Sequence, residues 1–124
     1  IKQVSGAEFE TVRSTLLSTK LEDDDKVVSV TPLSAAEVLS NNMKVIIITR
    51  NDLSLGFDLN EVSELKRMSR GVRAIKLDKD DCVDFSTVVE SDADTFIYNE
   101  KELSAKKVRK RKRAQKGHKA KLSL

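Results

Sequence analysis

A chain of 124 residues is about the length of one domain, and 39% hydrophobic with 35% charged residues describes a folded body with a highly charged surface rather than a disordered chain. No apolar run approaches the ~18 residues that span a bilayer, and no secretory h-region follows Ile1 to Val4, so a membrane partner is not expected. The net charge of +3 hides a split: eleven Lys or Arg against the single acid Glu102 lie between 101 and 124, while the first hundred residues hold twelve bases and nineteen acids.

In chain order, the opening on Ile1 without a methionine reads as a cut from something longer. A loose stretch from Ser5 to Ser14 precedes a candidate strand Leu16 to Leu21, an acidic turn, and a return strand Lys26 to Thr31 rich in Val. Thr31 to Asn42 contains the only proline, Pro32, and is expected to form one helical turn or a connecting loop between two repeats. Lys44 to Arg50 carries the unbroken run Val45-Ile46-Ile47-Ile48, the pattern of a strand buried on both faces. Asn51-Asp52 then turns the chain into a strand Leu53 to Asp58. A second loose stretch, Asn60 to Gly71, leads to candidate strands Val72 to Leu77, Cys82 to Val89 and Thr95 to Tyr98. The residues from 101 onward read as a basic, flexible tail.

An internal repeat organises these runs. Thr19-Lys20-Leu21-Glu22-Asp23-Asp24-Asp25-Lys26-Val27-Val28 returns as Ile75-Lys76-Leu77-Asp78-Lys79-Asp80-Asp81-Cys82-Val83-Asp84, with 56 positions from Leu21 to Leu77. Each copy reads as a hairpin tip, with Leu21 or Leu77 inward, carboxylates in a solvated turn, and Val27 or Val83 opening the return strand. Repeats of roughly 1–42 and 43–98 follow, within a folded segment 1–100. The acidic cluster Asp23-Asp24-Asp25 lacks the alternating ligand spacing and glycine of a calcium loop, so no metal is expected.

Candidate binding residues are cationic. Lys66, Arg67, Arg70 and Arg73 surround the small Ser69 and Gly71, a composition suited to close approach to phosphates and equally to an ordinary positive surface loop. Lys106, Lys107, Arg109, Lys110, Arg111, Lys112 and Arg113 would neutralise several phosphates with little sequence preference. The same charge split also suits a protein-interaction module, an acidic body docking a basic partner beside a solubilising tail. Catalytic candidates are weak. Tyr98 is expected to pack against a neighbour, His118 to be solvated without a base partner, and Cys82 to act as a small hydrophobe in a reducing compartment. No Gly-rich phosphate loop occurs.

The motif string Ile46-Ile47-Ile48-Thr49-Arg50-Asn51, then Met68-Ser69-Arg70-Gly71-Val72-Arg73-Ala74-Ile75-Lys76-Leu77, then Asp80-Asp81-Cys82-Val83 resembles, in order and spacing, the blades of the C-terminal region of bacterial type II topoisomerase A subunits. The resemblance runs to about Tyr98. It implies an all-β, propeller-like β-pinwheel of about two four-stranded antiparallel blades that binds and bends double-stranded DNA. Arg67-Met68-Ser69-Arg70-Gly71 stands in place of the glutamine- and glycine-rich box of the gyrase version, so the chain looks more like the A subunit of topoisomerase IV. Ile1 to Val4 stands where the basic strand of a blade sits, which adds Lys2 to the DNA-binding candidates. Asp52-Leu53-Ser54-Leu55-Gly56-Phe57 departs from the family's turn glycine followed by Lys-Arg. The resemblance further implies no catalytic site or cofactor in this chain. The catalytic tyrosine and Mg2+ would belong to a breakage and reunion domain elsewhere in the A subunit. ATP would belong to the B subunit, with the whole assembly in the bacterial cytoplasm beside the chromosome.

Overall fold

The computed structural model describes residues 1–9, 21, 24–90 and 94–119. Seven strands carry the fold: β1 (Lys44–Thr49), β2 (Leu53–Asp58), β3 (Val83–Val89), β4 (Thr95–Tyr98), β5 (Lys101–Ser104), β6 (Lys110–Arg111) and β7 (His118–Lys119). β1 is the central wall. It pairs antiparallel with β2 on one edge and with β3 on the other, and all six of its residues are buried. Successive side chains of a strand point to opposite faces. Val45 and Ile47 therefore enter one core with Leu55, Phe57, Leu59, Val62 and Ile75, while Ile46 and Ile48 enter a second with Val89, Phe96, Tyr98, Leu103 and Val108. The apolar run reads as expected, because cores lie on both sides of it. Each fully buried Ile contributes about 2–3 kcal/mol of transfer free energy.

The turns follow local chemistry. Asp52 takes φ 63° at the β1–β2 turn, and Asn99 and Glu100 take φ 50° and 65° in the two-residue β4–β5 turn. Positive φ at both central positions matches the right-handed twist of a tight hairpin, which is where Asn is tolerated. The connection after Pro32 forms a single helical turn, α1 (Ala35–Leu39), closed by a capping box in which Ser34 and Glu37 exchange side-chain hydrogen bonds.

Beyond Tyr98 the structure corrects the expected tail. Residues 101–119 are part of the fold: β5 pairs with β4, β6 runs parallel to β2 at Gly56 and Phe57, and β7 runs antiparallel to β2 at Leu53 and Ser54. The physical reason is that β2 has an open edge needing hydrogen-bond partners, and buried Leu103, Ala105 and Val108 anchor the basic segment that supplies them. Gly56 permits the approach, since a Cβ there would lie 3.1 Å from the Val108 side chain and 3.2 Å from the Arg109 carbonyl.

This third unit copies the second. Asp58-Leu59-Asn60-Glu61-Val62 and Ser104-Ala105-Lys106-Lys107-Val108 each make a 3-10 turn, capped by the Asp58 or Ser104 side chain and closed by the Val62 or Val108 N–H on the carbonyl of residue 59 or 105. An arm broken by one turn follows each, Val62 to Gly71 and Val108 to Gly117, at a spacing of 46 positions, with the turns at 67–68 and 113–114. Both arms lie on the preceding unit, the first through a parallel bridge of Glu64 to Gln3, the second through β6 on β2. Gly71, at φ +93°, packs so closely on the Ile1 carbonyl that a Cβ would sit 2.6 Å from its oxygen.

Other expectations change as well. One blade-like sheet, β3-β1-β2 with β6 and β7 sharing the outer edge, stands between partial units, and its parallel β6 makes it mixed rather than purely antiparallel. Leu16 to Thr19, Lys20 and Asp23 lie outside the described residues. Lys26 to Thr31 forms no strand, since no described strand offers it a ladder, and Val27, Val28 and Val30 are exposed. Val72 to Leu77 is extended but makes only one bridge, Lys76 to Lys116. Leu21 and Leu77 are exposed at the tips rather than inward, and Ile75 takes the buried position.

Asp81 takes the buried place expected of Cys82, which is exposed. The Asp81 carboxylate accepts from the Asn51 N–H at 3.1 Å and the Cys82 N–H at 2.9 Å, tying the β1–β2 turn to the start of β3. Burial works to raise its pKa, but hydrogen bonds from the Thr49 hydroxyl and these two amides, with the Arg50 charge, outweigh it and hold the carboxyl below its ordinary value. A pKa depressed on folding adds stability above the unfolded value, about 4, that is lost as pH falls through the folded one. Melting temperature is therefore expected to fall more steeply below about pH 4 in the wild type than in Asp81→Asn, in thermal melts followed by circular dichroism.

Candidate nucleic-acid interface

Eleven of the twelve candidate cations separate into two groups; the twelfth, Arg67, is half-buried with its Nη1 3.8 Å from the Met68 sulfur. Lys2 is half-buried and its ammonium donates to the carbonyls of Lys66, Arg67 and Ser69 at 3.2, 2.6 and 2.6 Å. It pins the second unit's arm to the first unit and is not presented to a ligand. Arg113 does the same for the third unit: its Nε donates to the Glu61 carbonyl at 2.8 Å and its Nη1 to the Arg73 carbonyl. The Arg113 N–H donates to Glu61 Oε1 at 3.1 Å, as the Arg67 N–H, 46 positions earlier, donates to Glu8 Oε1 at 2.9 Å. One glutamate per junction thus holds the backbone of one arginine per arm.

The second group faces outward. Lys66, Arg70, Arg73, Lys106, Lys107, Arg109 and Lys112 are exposed, with Lys66 and Lys112 at equivalent positions of successive arms. Lys110 is exposed but paired with Asp58 at 3.4 Å, a contact worth about 0–1 kcal/mol that a stronger anion displaces. Arg111 is half-buried in β6. Sequence reasoning missed Lys116, which pairs with Asp78 at 3.1 Å, and Lys119 on β7. The spacing of Gly71 and Gly117 was the available signal, since it aligns Arg70 with Lys116 and Arg73 with Lys119.

It also missed Lys44, which is 2% exposed and donates to the carbonyls of Ala105 and Val108 at 2.7 and 2.8 Å. Like Lys2, this cation is an internal fastener between units.

The groups considered for catalysis are placed for packing. Tyr98 is buried against Phe85, with ring centroids 5.2 Å apart, and Phe85 also stacks on Phe96 at 5.8 Å. Burial, followed by the Asp84 and Asp52 charges, pushes the Tyr98 phenol above its ordinary pKa. His118 is exposed as expected, but on a strand rather than a tail. No helix among the described residues is long and apolar enough to cross a membrane.

Residues 1–34 and 44–88 match the family model described as DNA gyrase C-terminal domain, beta-propeller, which covers more than half of the chain. The chain belongs to this family. It is 33% identical over 98 residues to the DNA gyrase A subunit of Haloquadratum walsbyi, covering 78% of this chain and 11% of the relative. It is 27% identical over 124 residues to the DNA topoisomerase 4 A subunit of Staphylococcus epidermidis, covering 94% of this chain and 15% of the relative. The DNA gyrase A subunit of Helicobacter pylori is 31% identical over 99 residues, covering 78% of this chain and 11% of the relative. The chain thus spans about a tenth to a seventh of these relatives. A crystal structure of the C-terminal domain of DNA topoisomerase IV superposes with a TM-score of 0.77 at 22% identity, over 94% of this chain and 36% of that one. The expected all-β, propeller-like class holds, and so does the resemblance to type II topoisomerase A subunits.

Proposed function

We propose that this gyrase C-terminal-type segment is a DNA-binding accessory part of a type II topoisomerase A subunit, which holds or bends a duplex through Lys66, Arg70, Arg73, Lys106, Lys107, Arg109 and Lys112. The observation that carries this reading is the division of labour among cations. Lys2, Lys44 and Arg113 fix each arm to the unit before it, and the exposed set rides on the arms so fixed or directly beside them. A rigid scaffold lowers the ordering cost of phosphate contacts, which carry affinity without sequence information.

The parent enzyme, on this reading, is an ATP-dependent isomerase of the topoisomerase IV kind, favouring decatenation and relaxation. Its tyrosine and Mg2+ sit elsewhere in the A subunit; its ATPase sits in a B subunit. The protein acts at the chromosome in the cytoplasm, and this chain turns over no substrate. The pairing of Lys110, Arg111, His118 and Lys119 with β2 weighs against the alternative of an acidic body with a separable solubilising tail.

Fluorescence anisotropy with a ~20-bp labelled duplex tests the proposal. Seven phosphate contacts give a log K against log salt slope of about −6. Absence of a complex at ~50 mM salt, or an affinity indifferent to salt, would refute it.

A further inference from the structure

A pocket of about 130 Å³ lies where the third unit's arm returns to β2, lined by Ser54, Lys107, Val108, Arg109, Arg111, His118 and Lys119. Four residues of fixed positive charge and one histidine belong to this lining, drawn from the end of a 3-10 turn, β6, β7 and the chain between the turn and β6, and no carboxylate is among the lining residues. The volume falls below the ~300–1,000 Å³ of sites that enclose drug-sized ligands, and suits a single compact group. Like charges brought together this way repel, so the pocket's own cations oppose the docking that forms it.

The arm itself is held by Arg113 and β6, but the docking of β7 is slight. β7 contributes two register pairs, Leu53 with Lys119 and Ser54 with His118, and the Ser54 hydroxyl donates to the His118 carbonyl at 3.3 Å. Few contacts make such an edge one of the first parts of a fold to open.

We infer that this pocket binds one phosphate-type oxyanion, and that the bound anion locks β7, the strand that follows the third unit's arm, onto β2. Arg109 and Arg111 bring to the lining the guanidinium forks that match tetrahedral oxygens, and Lys107 and Lys119 add point charges. The inference rests on the proposed function only for the source of the phosphate, which is taken to be the DNA backbone. The alternative source is a free phosphate or pyrophosphate.

The test uses the full chain in two arms. In the first, melting temperature is followed by circular dichroism as sodium pyrophosphate replaces sodium chloride at constant ionic strength. At about ten times the dissociation constant the wild type is expected to gain roughly 3–6 °C. The gain should vanish in Arg111→Gln/Lys119→Gln, two pocket residues outside the seven proposed for duplex contact, and persist in Lys66→Gln/Arg73→Gln, whose changes lie outside the pocket. No gain in the wild type, or equal gains in all three proteins, would overturn the site.

In the second arm, each protein is titrated with labelled duplex. A loss of at least threefold in the pocket variant, with the salt slope reduced by about 2, assigns the source to the DNA backbone. Unchanged duplex affinity, with the pyrophosphate effect lost, overturns that source and assigns a free anion. If no protein binds duplex yet pyrophosphate still stabilises the wild type, the proposed function fails while the pocket stands. Far-UV spectra of the variants must match the wild type, and a mismatch moves the test to Lys119→Gln alone, read by the same criteria with a slope change of about 1.

Discussion

Replacing Lys44 by alanine is expected to cost about 3–4 kcal/mol of stability, a large effect for a lysine. The ammonium is buried and donates to the Ala105 and Val108 carbonyls. The Ala105 oxygen retains the Val108 N–H, at 3.1 Å, whereas the Val108 oxygen loses its charge-assisted donor. Alanine also leaves a cavity beside the second core, on the face that carries Ile46 and Ile48. Lys44→Met refills much of that volume without restoring a donor, and should cost about half as much, since it also removes a buried charge. Urea denaturation read by circular dichroism measures both changes, and hydrogen exchange should show the excess opening at 103–111. An alanine variant within about 0.5 kcal/mol of wild type would mean that the lysine is not a fastener.

The second large effect concerns binding. Changing Lys66, Arg73, Arg109 and Lys112 together to glutamine should move the salt slope from about −6 to about −2.5 and weaken duplex affinity more than ~100-fold at ~100 mM salt. The loss should be the same for unrelated duplex sequences, because phosphate contacts read no bases. Lys2→Gln should behave differently, lowering stability by about 1–3 kcal/mol through the lost charge-assisted bonds to three carbonyls and leaving the slope nearly unchanged in the folded fraction. Anisotropy titrations at four or five salt concentrations separate the two kinds of lysine.

Much of the fold was legible in the residues. The run Val45 to Ile48 announced a strand with a core on each face, Asn51-Asp52 announced its turn, and β2, β3 and β4 lie within a residue or so of their expected bounds. What was hidden was the third unit. Its anchors Leu103, Ala105 and Val108 are few, and they sit among lysines and arginines whose composition suggests solvent. Charge density masked a spacing, Val62 to Gly71 against Val108 to Gly117, that would have revealed the copy.

The second obstacle was that a lysine's letter does not say which way its ammonium faces. Lys2 and Lys44 bury theirs on carbonyls, a placement decided by backbone groups far away in sequence. The same holds at the hairpin tips, where repeat logic put Leu21 and Leu77 inward and the fold buries Ile75 and Asp81 instead. The residues thus gave the cations of the candidate site, but not which of them face outward.

Lysine acetylation footprinting of the full chain, with and without saturating duplex, tests most directly whether arm-borne cations meet the phosphates. Lys66, Lys106, Lys107 and Lys112 should react readily alone and become protected at least fivefold by DNA, whereas Lys44 should stay unreactive in both samples. Duplex binding that left those four lysines as reactive as before would contradict the account.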